Sequence, residues 1–572
     1  MTSKATLWGA AAALALMPAA AIAAEERTRG SSGHLNIIYW QAVSTMNVFL
    51  SGGTKEMNAA SIVLEPLARF NPEGELVPWL AEYVPTLENG SVSEDLMTIT
   101  WTLAEDILWS DGTPVTSADV VFTYEYCNHP EGGCAYRDRF AGIESVEALD
   151  ERTIRITFDE PRPNPHVAFV GAGSPIIQKA QFENCMGARA PECTDANFAP
   201  IGTGPYVVTD FRPNDVIQFE ANPNFRVPTQ PYFQTITWAG GGDATGAARA
   251  VFQTGEMDYA WNLQLAPEVI EQMAAGGQGE LLVDFGPLIE HININLTDPS
   301  PDLPVDERST KLHPHPFLTD KAVRRALSLA IDRPLLAEIG FGEMGLPTCN
   351  FVVAPPAVSS PNNDACLEQD IDQANALLDE AGWERGPDGI RSRDGVRLEK
   401  LFQTSTNAVR QDFQALIQQW WREIGVDTRL RNVDAGVFFG GDPSSLDTFQ
   451  RFSADVQMYA STFEGTDPTS FLEQRRCGRH PRPETQWQGQ NINRFCSEDY
   501  DALWLEKSRE ADPDRRAELA IKLNDYLVQN YIILPLVARG RVSAISTDVG
   551  GMVMNVWDSE HWNQAEWYRR TE

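Results

Sequence analysis

Beyond its first residues, the 572-residue sequence has no apolar run approaching the ~18 residues needed to cross a bilayer. HExxH, GxSxG and GxxxxGK[ST] are all missing, so the short signatures of zinc proteolysis, a serine nucleophile elbow and a phosphate loop are absent. No two cysteines form a CxxC pair, which argues against zinc ribbons and thioredoxin-like redox chemistry. Basic residues are scarce: 45 Lys and Arg stand against 80 Asp and Glu, for a net charge of −35. Such a surface stays in solution and repels nucleic acid and anionic membranes, though it draws cations. No internal repeat or low-complexity tract suggests a solenoid. Nothing points to a cofactor. Carboxylates are plentiful, so counting alone leaves a glycosidase-like pair open.

What is present describes an exported, folded chain. Lys4 precedes the apolar stretch Leu7 to Ala15, and Ala21-Ile22-Ala23 offers a small-x-small cleavage site before Glu25 and Glu26. Residues 1–23 therefore read as a secretion signal. No cysteine lies near the cleavage site to carry a lipid, which suits a periplasmic location. The eight cysteines fall into near neighbours: Cys127 with Cys134, Cys185 with Cys193, Cys349 with Cys366, and Cys477 with Cys496. In an oxidising compartment the expectation is four local disulfides, although spacing alone leaves the connectivity open. The length is too great for one compact domain.

Along the chain, strands and helices are mixed throughout, as in lobes of α/β type. Strands are expected at 34–40, 97–108, 152–158, 426–433 and 531–537 from apolar runs and alternation. Helical spacing is expected at 59–67, 116–128, 320–339, 372–381, 409–424, 500–510 and 517–529. Thr116 or Ser117 can cap the second of these, with Asp119 in its first turn. Arg324 and Arg325 flank an apolar helix face and read as surface ion-pair partners.

Five ordered segments carry a resemblance: EDILWSDGTPVTSADVVF at 105–122, PIGTGPYVV at 200–208, FRPNDVIQFEANPNF at 211–225, PFLTDKAVRRALSLAIDR at 316–333 and NALLDEAGW at 375–383. Together they resemble the bacterial extracellular solute-binding proteins that serve oligopeptide, dipeptide and nickel importers, known as family 5. The resemblance implies an α/β fold of the type II periplasmic binding protein kind, two lobes with an extra inserted domain, closing by a hinge. The implied division is 34–65, 196–290 and 535–572 for a discontinuous first lobe, 66–195 for the inserted domain, and 291–534 for the other lobe. The implied function is capture of a small organic solute, peptide-like or cationic, by a monomer that passes it to the permease of an ABC importer.

Peptide binders of this family hold the ligand's ammonium with an Asp four residues before a proline; Pro468 places Glu464 at the matching position. Asp467 reads instead as a helix cap. Aromatic and amide side chains beside family cleft segments are the further candidates: Trp40, Gln41, Trp261, Asn262, Tyr459, Phe463, Trp487 and Asn491. Dipeptide binders carry an Arg in the loop matching 402–405, which here has none. His313 and His315, in a stiff HPHP stretch, leave metal capture as the alternative, beside opine, amine or oligosaccharide binding and, more remotely, a periplasmic hydrolase.

Overall fold

A computed structural model describes residues 27–570. The secretion signal expected at 1–23 lies outside the described residues. The strand His34–Tyr39 buries Leu35, Ile37 and Tyr39 on one face, the period of two expected of a strand. It lies at the centre of a seven-stranded sheet whose order is Gly279–Asp284, Arg541–Ser546, Tyr259–Ala260, His34–Tyr39, Thr235–Gly240, Val216–Ala221 and Tyr206–Arg212. The central strand pairs in parallel with both neighbours; the remaining pairs are antiparallel.

A six-stranded sheet runs Gly345–Pro347, Ile533–Arg539, Ile289–Ile294, Val456–Ser461, Glu399–Ser405, Asp427–Val433. Every residue of Ile289–Ile294 is buried, as befits a strand covered on both faces. Trp421, Phe402, Leu536 and Ile292 lie in its core. The chain crosses between the two sheets twice, through residues 285–288 and through the single residue Gly540. Such short connections join two packed bodies while leaving little backbone to resist a change in their angle.

A third, three-stranded sheet joins Thr98–Thr102, Thr153–Phe158 and Ile143–Ala148. Its Trp101 and Ile154 share one continuous core with Ile37, Tyr39 and Trp238 of the seven-stranded sheet, so these two parts form one body. The helix Ser117–Cys127 packs on this sheet. Its start follows the expectation: Thr116 is the N-cap, and its amide donates to Asp119 Oδ2 at 3.0 Å, the reciprocal half of a capping box.

Elsewhere local chemistry redraws the expected elements. The segment expected to be one helix at 320–339 is two, Lys321–Leu329 and Arg333–Phe341. Asp332 caps the second through the Leu335 amide at 3.0 Å, and Pro334, in its first turn, has no N–H with which to continue the hydrogen-bond ladder of the first helix. The helix expected at 59–67 is instead Thr54–Ala60, followed by turns. Arg324 is a buried residue and no surface ion-pair partner. Its guanidinium donates to the carbonyls of Leu318, Thr319 and Asn530 at 2.8, 2.9 and 3.1 Å, tying a helix to the loops around it.

All eight cysteines pair with their near neighbours, at Cα separations of 5.0, 5.8, 5.8 and 4.5 Å in chain order. Each bridge closes a short loop. Among the described residues no helix is long and apolar enough to cross a membrane.

Candidate functional site

The two bodies face each other across a cavity of about 420 Å³. One wall carries Tyr136 and Arg139; the opposite wall carries Phe439, Phe449, Tyr459 and Phe463. A smaller hollow of about 80 Å³ adjoins it near the sheet crossover, and Phe439, Thr462 and Arg541 line both. The aromatic wall is built locally. Asp434 caps the short helix Ala435–Phe438 through the Gly436 amide at 2.8 Å, which presents Phe439. The ring of Tyr459 then meets Phe439 and Phe449 edge-on, with centroids 6.0 and 5.6 Å apart, the geometry that the ring quadrupoles favour.

Glu464 follows the strand Val456–Ser461 and reaches across the cleft. Its Oε1 accepts from the Gly173 amide at 2.9 Å, and its Oε2 forms an ion pair with Arg139 Nη2. Arg139 also lies over the Tyr136 ring, 5.2 Å from its centroid. Two glycines make this approach possible. Gly171 has φ +76°, and a Cβ there would sit 2.8 Å from the Glu464 carboxylate carbon. Gly465 has φ +73°, and a Cβ there would run into the Phe70 ring at 2.4 Å. Side chains rarely adopt such φ values. The candidate carboxylate thus comes to the cavity already sharing an internal cation.

Behind this pair lies Asp558, fully buried, accepting from the amides of Phe70, Ala172 and Ser559 at 3.2, 3.2 and 2.7 Å. Burial pushes its carboxyl up, Arg69 opposes this, and the neighbouring Glu464 charge adds to it, bringing the pKa to about 6. In the folded chain the group therefore keeps a proton at pH values where the unfolded chain has released it. Stability contributed by Asp558 is present below 3.8 and is lost as pH rises to about 6. We expect Asp558→Asn to remove this fall: the difference in unfolding midpoint between the two proteins in urea should change between those limits and stay level above them. A constant difference would refute the assignment.

The sequence-derived candidates are distributed unevenly. Tyr459, Phe463 and Glu464 line the large cavity, while Gln41, Trp261 and Asn262 line the small hollow. Trp261 stacks on Tyr39 at 4.6 Å and donates to Glu560 at 3.2 Å. Trp40, Trp487 and Asn491 line neither. Trp40 turns toward the helix packed on its own sheet and donates to the Asn262 carbonyl at 2.9 Å. Trp487 packs under the Arg451 guanidinium, 3.8 Å from its ring centroid. The Asn491 amide is spent on the carbonyls of Arg475, Arg476 and Phe495 at 3.1, 2.9 and 2.8 Å, a loop clasp with no donor left over.

Asp467 accepts from the Thr469 amide at 2.9 Å at the start of the helix Thr469–Glu473, and pairs with Lys507 at 3.0 Å. Burial pushes its carboxyl up, but Lys507 and Thr469 outweigh that and hold it at about 2. His313 bonds Glu307 at 2.7 Å and His315 bonds Asp455 at 2.8 Å. Among the described residues no cluster of three or more His, Cys, Asp or Glu is placed to hold a metal ion.

Several lining residues carry no local signal. Arg139, Phe439 and Phe449 sit in segments with nothing to distinguish them from scaffold. Arg410 sits in the first turn of the helix Ala408–Glu423 and lines the small hollow with Arg539 and Arg541; the segment 402–405, expected to be a loop and searched for an Arg, is instead the end of the strand Glu399–Ser405.

The pattern described as bacterial extracellular solute-binding proteins, family 5 Middle, matches residues 75–480. Protein XP55 of Streptomyces lividans is 28% identical over 377 residues, covering 65% of this chain and 62% of that relative. The glutathione-binding protein GsiB of Escherichia coli O1:K1 / APEC is 24% identical over 543 residues, 94% of either chain. Among solved structures, the oligopeptide binding protein from Thermus thermophilus, complexed with pentapeptide, superposes with a TM-score of 0.80 at 21% identity, covering 94% of this chain and 97% of that one. The likeness in structure is one of fold: two lobes with mixed sheets.

Proposed function

Because the chain belongs to family 5 of the bacterial extracellular solute-binding proteins, we propose that it captures a small organic solute in the periplasm and hands it, unaltered, to the permease of an ABC importer. The observation that carries this reading is the cavity of about 420 Å³ between two bodies joined by short crossovers. Its volume lies in the range of ~300–1,000 Å³ typical of small-molecule sites. A solute held there touches both bodies at once, so binding favours the closed arrangement over the open one. The aromatic wall suits apolar side chains or a cation over a ring, and the Arg139–Glu464 pair offers charge of each sign. A peptide-like solute, zwitterionic with apolar substituents, matches this set. GsiB by its name binds glutathione, which is peptide-like and carries charge of each sign.

Thermal-shift screening of the mature chain against peptides, amines, opines, oligosaccharides and nickel tests the proposal. A solute at a hundred times its Kd adds ~2.7 kcal/mol to the folded state and raises the melting temperature accordingly. Mass spectrometry of the recovered solute should find it unchanged. Product accumulating from a bound compound would overturn the reading in favour of a hydrolase.

A further inference from the structure

We infer that the small hollow at the sheet crossover is an anion subsite, taking a carboxylate or equivalent monoanionic group of the captured solute. This deepens the solute-capture reading and rests on it. Lys55, Arg410, Arg539 and Arg541 line the hollow, and the one carboxylate in its lining is Glu560. This concentration of positive charge stands inside a chain whose net charge is −35.

The charges around the hollow do not cancel. Lys55 pairs with buried Glu56, whose carboxylate also accepts from Ser44 and Ser51. Arg410 is held by Glu290 through two bonds of 2.6 and 3.1 Å. The carboxylate of Glu560 accepts from Tyr259, Trp261 and Ser543 at 2.6, 3.2 and 2.8 Å. Asp558, nearby, faces Arg69. Four cations thus meet three carboxylates, Glu56, Glu290 and Glu560, leaving one positive charge uncompensated.

That surplus is visible at Arg539. Arg539 is 5% exposed and its Nε–H has no hydrogen-bond partner, although Glu290 Oε2 lies 3.5 Å away. Its Nη1 donates to Asn262 Oδ1 at 3.1 Å, and Gln264, with its amide oxygen turned toward Arg539, lies 2.8 Å from Nη2. Arg541 spends Nη1 on the carbonyls of Asn555 and Asp558 at 2.9 and 2.7 Å. A buried cation short of partners is costly, and charge-assisted bonds to an anion relieve that cost.

Size and position agree with the charge. About 80 Å³ holds a functional group, not a whole solute, and the hollow opens beside the larger cavity with which it shares Arg541. Arg410 and Arg539 belong to elements of the six-stranded body, whereas Arg541 begins a strand of the other sheet, with Gly540 between. An anion seated here is gripped by both bodies at the point where they join.

The test uses acetate as probe, so the cargo need not be known. Sodium acetate should raise the melting temperature of the mature chain saturably, and the neutral isostere acetamide should not. In Arg539→Gln, half-saturation should move to about tenfold higher acetate or beyond, and Lys55→Gln should weaken the response in the same direction. Wild-type crystals soaked in sodium bromide should show an anomalous peak in the hollow, which decides the matter if both variants fail to fold. No saturable acetate response in the wild type, an unchanged half-saturation in folded variants, or bromide only at other places would overturn the subsite. Failure of this inference and failure of solute capture are distinguishable. A captured solute whose amide analogue binds equally well sinks the anion subsite alone, whereas an intact acetate response with no solute bound from the wider panel counts against capture alone.

Discussion

Glu290→Gln should cost about 3–5 kcal/mol of folding free energy, the usual result of removing one partner from a buried ion pair. Glu290 lies on the central strand Ile289–Ile294, is 1% exposed, and serves two guanidiniums, Arg410 through two hydrogen bonds and Arg539 at 3.5 Å. Burial pushes its carboxyl up, but Arg410 and Arg539 outweigh that and hold it below the usual carboxylate range. Gln retains an acceptor oxygen and loses the charge, so two buried cations are left facing each other. Burial already lowers the pKa of Arg539 to about 10, and Glu290 opposes that fall.

The sign of the pH dependence follows. A carboxylate depressed in the folded chain contributes stability above the unfolded value of 4.5, lost as pH falls through the lower folded value. The wild-type advantage over Glu290→Gln should therefore be full at neutral pH and shrink in acid. Urea unfolding followed by circular dichroism at several pH values measures both. Equal midpoints at neutral pH would show that the pair has no net worth.

Glu464→Gln should lower affinity for a cationic solute by ~10- to 100-fold, from the ~1.5–3 kcal/mol of a hydrogen bond to a charged group, while a neutral solute of the same shape loses little. The carboxylate, though its side chain is only 6% exposed, keeps acceptor capacity for such a partner. It offers about four lone-pair sites, of which Gly173 takes one and Arg139 another. Gln keeps the acceptor for Gly173, so the loop geometry survives the change. Calorimetric titration of matched amine and neutral solutes separates the roles. An equal loss for both would make Glu464 a strut between the two bodies, and no loss for either would remove it from the site. Freed from its partner in this variant, Arg139 should also favour anionic solutes more than it does in the wild type.

The outline of the fold is legible along the chain because its causes are local. The apolar run at 34–40 marks a strand whose inward residues are all buried, and Thr116 with Asp119 marks a helix start. The cysteines, seven to nineteen residues apart in sequence, pair with their neighbours, as short loops close most readily. The errors are equally local in origin. Pro334 and Asp332 divide a segment whose apolar spacing alone reads as one helix.

The cleft is far less legible. Glu464, Tyr459 and Phe463 are reachable through a motif around Pro468, yet Arg139, the cation that shares Glu464, lies more than three hundred residues earlier. Trp487 and Asn491 look equally suitable by residue type and are occupied with Arg451 and with loop carbonyls. An aromatic ring or an amide has the same composition whether it faces solute or scaffold.

From the order of residues alone one obtains an expectation of export, together with acidity, local cross-links, most strands and helices, and a resemblance to a family. The family rests on the resemblance of five segments; the rest follow from composition or from neighbours within a few turns of chain, where backbone geometry sets the spacing. Folding in three dimensions was needed to gather Lys55, Arg410, Arg539 and Arg541 around one hollow and to set Arg139 against Glu464. Electrostatic energy depends on distance through space and on exclusion of water, and neither quantity is written in the separation of residues along the chain.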